Sequence, residues 1–176
     1  MSGSVIASAL AGVTLWSFLE YVIHRWLGHK HVKNPFGAEH VRHHARGNYF
    51  APSWKKALVA IGVIALLIAP AIAALGRGPG VAFVLGFVGF YVTYEVVHRL
   101  EHVHPGLGPY GRWARRHHFT HHFVDARVNH GVTSPVWDLV FGTYRAPGVI
   151  VVPPKLRPHW LLDPETNEVR AEWRDT

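Results

Sequence analysis

His24 and His29 stand five residues apart, and His40 is followed by His43 and His44. Further along, His98 is followed by His102, and His118 by His121 and His122. Residues three or four apart share one helical face. HVRHH (40–44) and HFTHH (118–122) therefore each aim three imidazoles at one place, and HRLEH (98–102) aims two. The step from His24 to His29 is about 140° around an ideal helix. It serves the same end only if the helix stops there, which Gly28 permits. Imidazole suits iron, zinc, copper and nickel. Ten imidazoles exceed what one ion takes, since tetrahedral zinc uses four ligands and catalytic zinc usually three. The pattern fits two ions with four or five ligands each. Cysteine is absent and carboxylates are not clustered, which sets the chain apart from iron–sulfur, thiolate–zinc and ferritin-like sites. An isolated histidine is ordinarily a surface residue or a cap, and His31 and His159 are read that way.

The segments that must position these groups are apolar. Of the 176 residues, 49% are hydrophobic and 16% charged, against roughly 25% charged in ordinary soluble domains. Residues 5–23 carry one charge, Glu20; residues 57–75 carry none; residues 81–97 carry one, Glu95. A membrane helix needs roughly 20 apolar residues, and tolerates Pro70 and the glycines better than a soluble helix would. GRGPG (76–80) reads as a tight turn that makes the second and third runs an antiparallel hairpin. The first connection holds Arg25, Lys30, Lys33, Arg42, Arg46, Lys55 and Lys56 against Glu39 alone, while the hairpin turn holds only Arg77. Basic loops stay inside, so this topology lets all fifteen histidines share the cytoplasmic side.

Ser53 is the expected N-cap of the second helix. Residues 131–143 are apolar but too short to span, and suit a helix starting near Ser134 with Pro135 in its first turn. The first basic residue, Arg25, follows the first apolar run, the wrong order for a signal peptide, so that run is expected to be a retained helix. The expected fold is all-α and integral to the membrane. It has about three transmembrane helices, a re-entrant or interfacial helix, and a cytoplasmic, histidine-rich di-metal cap. Residues 1–152 form the membrane domain and residues 153–176 a polar C-terminal tail. The net charge of +7 suits an anionic membrane face; nucleic acid is not expected, because no basic stripe interleaves with aromatics. None of the apolar runs contains a histidine, which argues against bis-histidine haem, or polar ligands at mid-membrane, which argues against a zinc transporter.

HxxxxH, HxxHH, HxxxH and HxxHH, in this order and between apolar helices, resemble the fatty acid hydroxylase and sterol desaturase superfamily. The resemblance runs from about Leu19 to Tyr144. EYVIHRWLGH, HVRHH and HHFTHH...NHGVTSPVWDLVFGTY look most like the fatty acid 2-hydroxylase branch. It implies a di-iron membrane monooxygenase whose expected ligands are His24, His29, His40, His43, His44, His98, His102, His118, His121 and His122. His104, His117 and His130 are additional or substitute ligands, with His118 preferred over His117 because it keeps the HxxHH spacing. Asp138, Asn129, Glu95 and Glu20 are the residues expected to support the ligating rings, Asp138 by accepting an imidazole N–H. The implied cofactors are two Fe ions, replaceable by Zn in purified protein, with O₂ as co-substrate. The implied reaction is O₂-dependent hydroxylation of an acyl chain of a fatty acid or membrane lipid, carbon 2 being the specific expectation. The alternatives are a lipid, sterol or carotenoid desaturase or hydroxylase with the same centre, and a non-catalytic metal-binding membrane protein. No fused cytochrome b5 domain is seen in the chain, so a separate cytochrome b5-like or ferredoxin-like electron donor is expected.

Overall fold

The computed structural model describes residues 2–170, and residues 171–176 of the expected tail lie outside that range. The described chain is helical, with one isolated antiparallel bridge between Leu162 and Val169. Helix α1 (Ser2–Val22) continues directly into a π-helical segment, Ile23–Lys30. Then come α2 (Pro35–Ala45), α3 (Ser53–Leu75), α4 (Arg77–Val103), α5 (Gly108–Phe123) and the short α6 (Val136–Val140). The chain divides into two compact units. One comprises the chain up to Leu19 with Ala51–Glu95; the other comprises Glu20–Phe50 with the chain from Val96 onward.

In the first unit, α1 and α4 run side by side in the same direction. Trp16 lies edge-on to Phe87 and Tyr91, with centroids 5.3 and 4.8 Å away. A Cβ on Gly12 would strike the backbone of Phe83, and one on Gly86 the backbone of Ala9. Such small-residue contacts are how helices approach closely where no hydrophobic effect drives them together. Helix α3 runs the opposite way along α4. Gly80 abuts the backbone of Ala71 and Ile72, Lys56 pairs with Glu95, and the Tyr91 hydroxyl donates to the Lys56 carbonyl. Among the described residues, three segments are long and apolar enough to cross a membrane: Gly3–Lys30, Ser53–Leu75 and Arg77–Val103. Leu66 on α3 is 72% exposed and Leu85 on α4 67%. Exposed apolar side chains along both helices are consistent with lipid-facing surfaces.

Two local expectations are corrected. The hairpin turn is Gly76 alone, at φ +84°, and Arg77 already belongs to α4. Pro79 fits inside the helix because the first turn has no intrahelical acceptors for its missing N–H. At the start of α3 the cap position is held by Pro52, with no side-chain cap bond, and Ser53 is the first helical residue. Pro52 supplies its carbonyl to the Lys55 and Lys56 amides.

In the second unit, Phe119, Ile150, Val152 and Leu161 form a buried cluster, with Trp160, Phe123, Leu156 and Val169 against it. The polar segment after residue 152 is therefore anchored by its own apolar residues. Trp160 stacks toward Phe119 and donates its indole N–H to the His102 carbonyl. Helix α6 starts at Val136 with Pro135 capping it, and leaves Leu139 and Val140 exposed.

Candidate metal centre

The five-residue step at His24 and His29 is solved differently from the expected helix end. From Ile23 to Lys30 the helix widens to a π-helix. Its i→i+5 hydrogen bonds bring residues five apart nearly into register. The two rings lie 5.2 Å apart between centroids. Gly28 is needed for space, because a Cβ there would lie 2.9 Å from Cδ2 of His40.

Helix α2 supplies His40, His43 and His44. Pro35 opens it, and the Asn34 side chain caps it by accepting the Gly37 amide at 2.9 Å. Helix α4 supplies His98 and His102 from its last turns, and α5 supplies His118, His121 and His122.

These ten rings fall into two groups of five. His24, His29, His40, His44 and His121 form one; His43, His98, His102, His118 and His122 form the other. In each group the ligand atoms lie within 4.8 Å of one another. The groups adjoin: His44 of the first stacks on His122 of the second, with centroids 3.9 Å apart and planes 5° from parallel.

The donor geometry fits a cation. Facing Nε2 atoms are 2.9 Å apart for His40–His29 and His102–His118, 3.0 Å for His98–His43, and 3.2 Å for His121–His44. Ligands about 2.0–2.1 Å from a shared metal are separated this much at angles of about 90–105°. Several opposite faces are committed. His24 Nδ1 meets the His130 carbonyl at 2.5 Å, His43 Nδ1 the Tyr49 carbonyl at 2.7 Å, and His121 Nδ1 the Val128 carbonyl at 2.7 Å. A carbonyl only accepts, so in these rings the proton sits on Nδ1 and the Nε2 lone pair is free to bind metal. Burial, reinforced by neighbouring imidazoles, holds His118, His121 and His122 well below the usual histidine range, and likewise His40. Burial brings His44 down to about 3. Neutral rings are the ligating form. The cluster is thus capable of binding one or more metal ions.

The carbonyls of Val128 and His130 belong to a loop held by buried acids. Glu20 Oε1 accepts the Val132 and Thr133 amides at 2.7 and 2.9 Å, and its Oε2 accepts the Thr133 hydroxyl at 3.0 Å. Asp138 accepts the His130 and Gly131 amides, both at 2.8 Å, and the Thr143 hydroxyl at 2.7 Å. Burial would push the Asp138 carboxyl up, but donors from His117, Thr143, Gly131 and His130 hold it below the usual carboxylate range. Asn129 sits at φ +55° and ties the loop to its surroundings, donating to the His117 and Arg145 carbonyls and accepting the Arg145 amide.

The residues expected to support the rings make the following contacts. The imidazole partner of Asp138 is His117, 3.4 Å away, which belongs to neither group of five. Asp138, Asn129 and Glu20 fix backbone rather than ligand rings. Glu95 pairs with Lys56. Of the other histidines, His104 Nδ1 accepts the Gly106 amide, and His130 Nε2 lies 3.2 Å from the Arg127 carbonyl. Glu101, which flanks His98 and adjoins His102 in the sequence but has no role assigned from it, is 3% exposed and 3.9 Å from His118 Nδ1. Its spacing, three after His98 and directly before His102, was the available signal. A cavity of about 390 Å³ has His102 in its wall together with Arg46, Lys155, Arg157 and Trp160.

The fatty acid hydroxylase family profile matches residues 9–143. The chain belongs to that family. It is 30% identical over 146 residues to the dihydroceramide fatty acyl 2-hydroxylase FAH1 of Arabidopsis thaliana, covering 79% of this chain and 61% of that protein. It is 33% identical over 150 residues to the fatty acid 2-hydroxylase of Homo sapiens, covering 76% of this chain and 38% of the relative. Among solved structures it resembles full-length scs7p, in which only the hydroxylase domain is visible. There the TM-score is 0.59 at 26% identity, over 84% of this chain and 60% of the other. The chain thus spans between about two fifths and three fifths of these proteins. The three apolar helices of this chain are consistent with a membrane protein.

Proposed function

We propose that this chain is an O₂-dependent di-iron hydroxylase of acyl chains, acting at carbon 2 of a fatty acid or of an acyl lipid. The observation that carries the reading is the pair of adjoining five-imidazole groups in a fatty acid hydroxylase chain. The names of its relatives, 2-hydroxylases of fatty acids and dihydroceramides, support the position. The ligands would be His24, His29, His40, His44 and His121 for one iron, and His43, His98, His102, His118 and His122 for the other. Zinc would fit the same rings after purification. Bound iron would supply O₂ activation, with two electrons and two protons consumed per oxygen atom inserted and one water released.

The protein's own part is placement. The carbonyls of His130, Tyr49 and Val128 hold ring tautomers with Nε2 inward, and burial keeps protons off the rings of α2 and α5. The excess of basic residues between α1 and α3 supports a cytoplasmic centre. The exposed apolar residues of α6 support an interfacial position for that helix. Arg46, Lys155 and Arg157 line the cavity beside His102 and suit the carboxylate or phosphate head of a substrate. The two electrons would come from a cytochrome b5-like or ferredoxin-like carrier.

Lipid mass spectrometry on cells with and without the gene tests this reading. The expected result is a gain of one oxygen on acyl lipids, located at carbon 2 by fragmentation. A loss of two hydrogens instead would make the chain a desaturase, and no lipid change with a reducing partner present would sink the enzymatic reading.

A further inference from the structure

Glu101 lies on α4 between two members of the second group, three residues after His98 and one before His102. It is 3% exposed, and neither carboxyl oxygen has a hydrogen-bond partner among the described residues. A buried carboxylate without a donor is costly, so its retention calls for a cation or a donor close by. The group that faces it is His118. The Nδ1 atom of that ring is also fully buried and without a hydrogen bond, and it stands 3.9 Å from Glu101 Oε2. The opposite nitrogen, Nε2, faces His102 Nε2 at 2.9 Å, inside the five-ring group. A ring that gives Nε2 to a metal must carry its proton on Nδ1, and that proton then needs an acceptor.

We propose that Glu101 is the positioning residue of the second group: its carboxylate accepts a hydrogen bond from the Nδ1–H of His118 when a metal is bound at Nε2. The proposal rests on the metal-centre reading above. It makes the two groups chemically unequal. His24, His43 and His121 lean on neutral backbone carbonyls. His118 alone among these has a carboxylate, which makes its ring a stronger donor and offsets part of the metal's charge across the imidazole ring. One face of α4 thereby presents ligand, acid and ligand in a single turn.

The test uses the full-length protein purified in detergent and loaded with Co²⁺, whose visible absorption reports ligand geometry. Wild type, Glu101→Gln, Glu101→Asp, His118→Ala and the double variant His118→Ala with Glu101→Gln are titrated with a chelator. Glu101→Gln should weaken one of the two bound ions by about 10–100-fold and alter its band, leaving the other unchanged. Glu101→Asp should restore most of the loss. In the His118→Ala background, Glu101→Gln should do nothing further. Unchanged affinity for both ions in Glu101→Gln, or an equal additional loss in the His118→Ala background, would overturn the proposal while leaving the centre intact. A wild type that binds no Co²⁺ would overturn both it and the centre.

Discussion

His24 and His121 lean on the carbonyls of one loop, while His98, His102 and His118 stand on two helices with Glu101 beside them. The first group draws on a π-helical segment, α2 and α5, and its orientation depends on residues 128–133. That loop is in turn fixed by Glu20, Asp138 and Asn129. The second group takes its rings from α2, α4 and α5, with His43 leaning on the Tyr49 carbonyl, and four of its five members are buried, against three in the first. The difference teaches that one family of ligands can be held in two ways. His24 and His121 are oriented by carbonyls of a loop that distant acids hold, whereas His98, His102 and His118 are brought together by helical spacing.

The largest effects should come from the ligands themselves. His121→Ala and His43→Ala, one from each group, should each abolish hydroxylation while leaving the protein in membranes. Activity assays on membrane fractions, with immunoblots for abundance, check this. Full turnover by either variant would remove that ring from the ligand set. Next comes Asp138→Ala, which strips acceptors from two backbone amides and a hydroxyl. Leaving such buried groups unsatisfied costs about 1–3 kcal/mol each. Metal affinity should fall in the first group and stay unchanged in the second; equal weakening of both would erase the distinction drawn here.

Gly28→Ala should act more narrowly, since the added Cβ meets Cδ2 of His40 at 2.9 Å. A drop of about tenfold in affinity, confined to the first group, is expected. Competition with a chelator would show it. The mildest test is pH on the metal-free protein. Above about pH 6.5 these rings are neutral in folded and unfolded chains alike. Below it the unfolded chain takes up protons that the folded chain refuses. That continues down to about 4 for His130, lowered chiefly by burial, and about 3 for His44. Thermal stability should therefore decline as pH falls from 6.5 toward 4. A flat profile across that window would mean that these rings are accessible to protons in the folded state.

Helical spacing made much of this visible in the sequence. HVRHH and HFTHH place their rings on one face as soon as the segments are helical, and three long apolar runs announce three long helices. The π-helix was not legible, because a five-residue interval reads as a helix end unless the local widening is known. Glu101 is visible beside His102, but its nearness to His118 comes from the packing of α4 against α5, which sequence spacing does not record. The role of residues 128–133 was hidden for a different reason: backbone carbonyls do the orienting, and a carbonyl leaves no mark in residue identity. Asp138 and Glu20 were singled out as acids near ligands, but their partners are amides across 8 and 112 positions of chain.

The most direct test of the central claim is the metal content of the purified, iron-supplied protein and its single and double ligand variants. Two separate five-imidazole sites predict about two ions per chain in wild type, about one in His121→Ala, about one in His43→Ala and none in the double variant. A wild type with a single ion, or single variants that each lose everything or nothing, would contradict it.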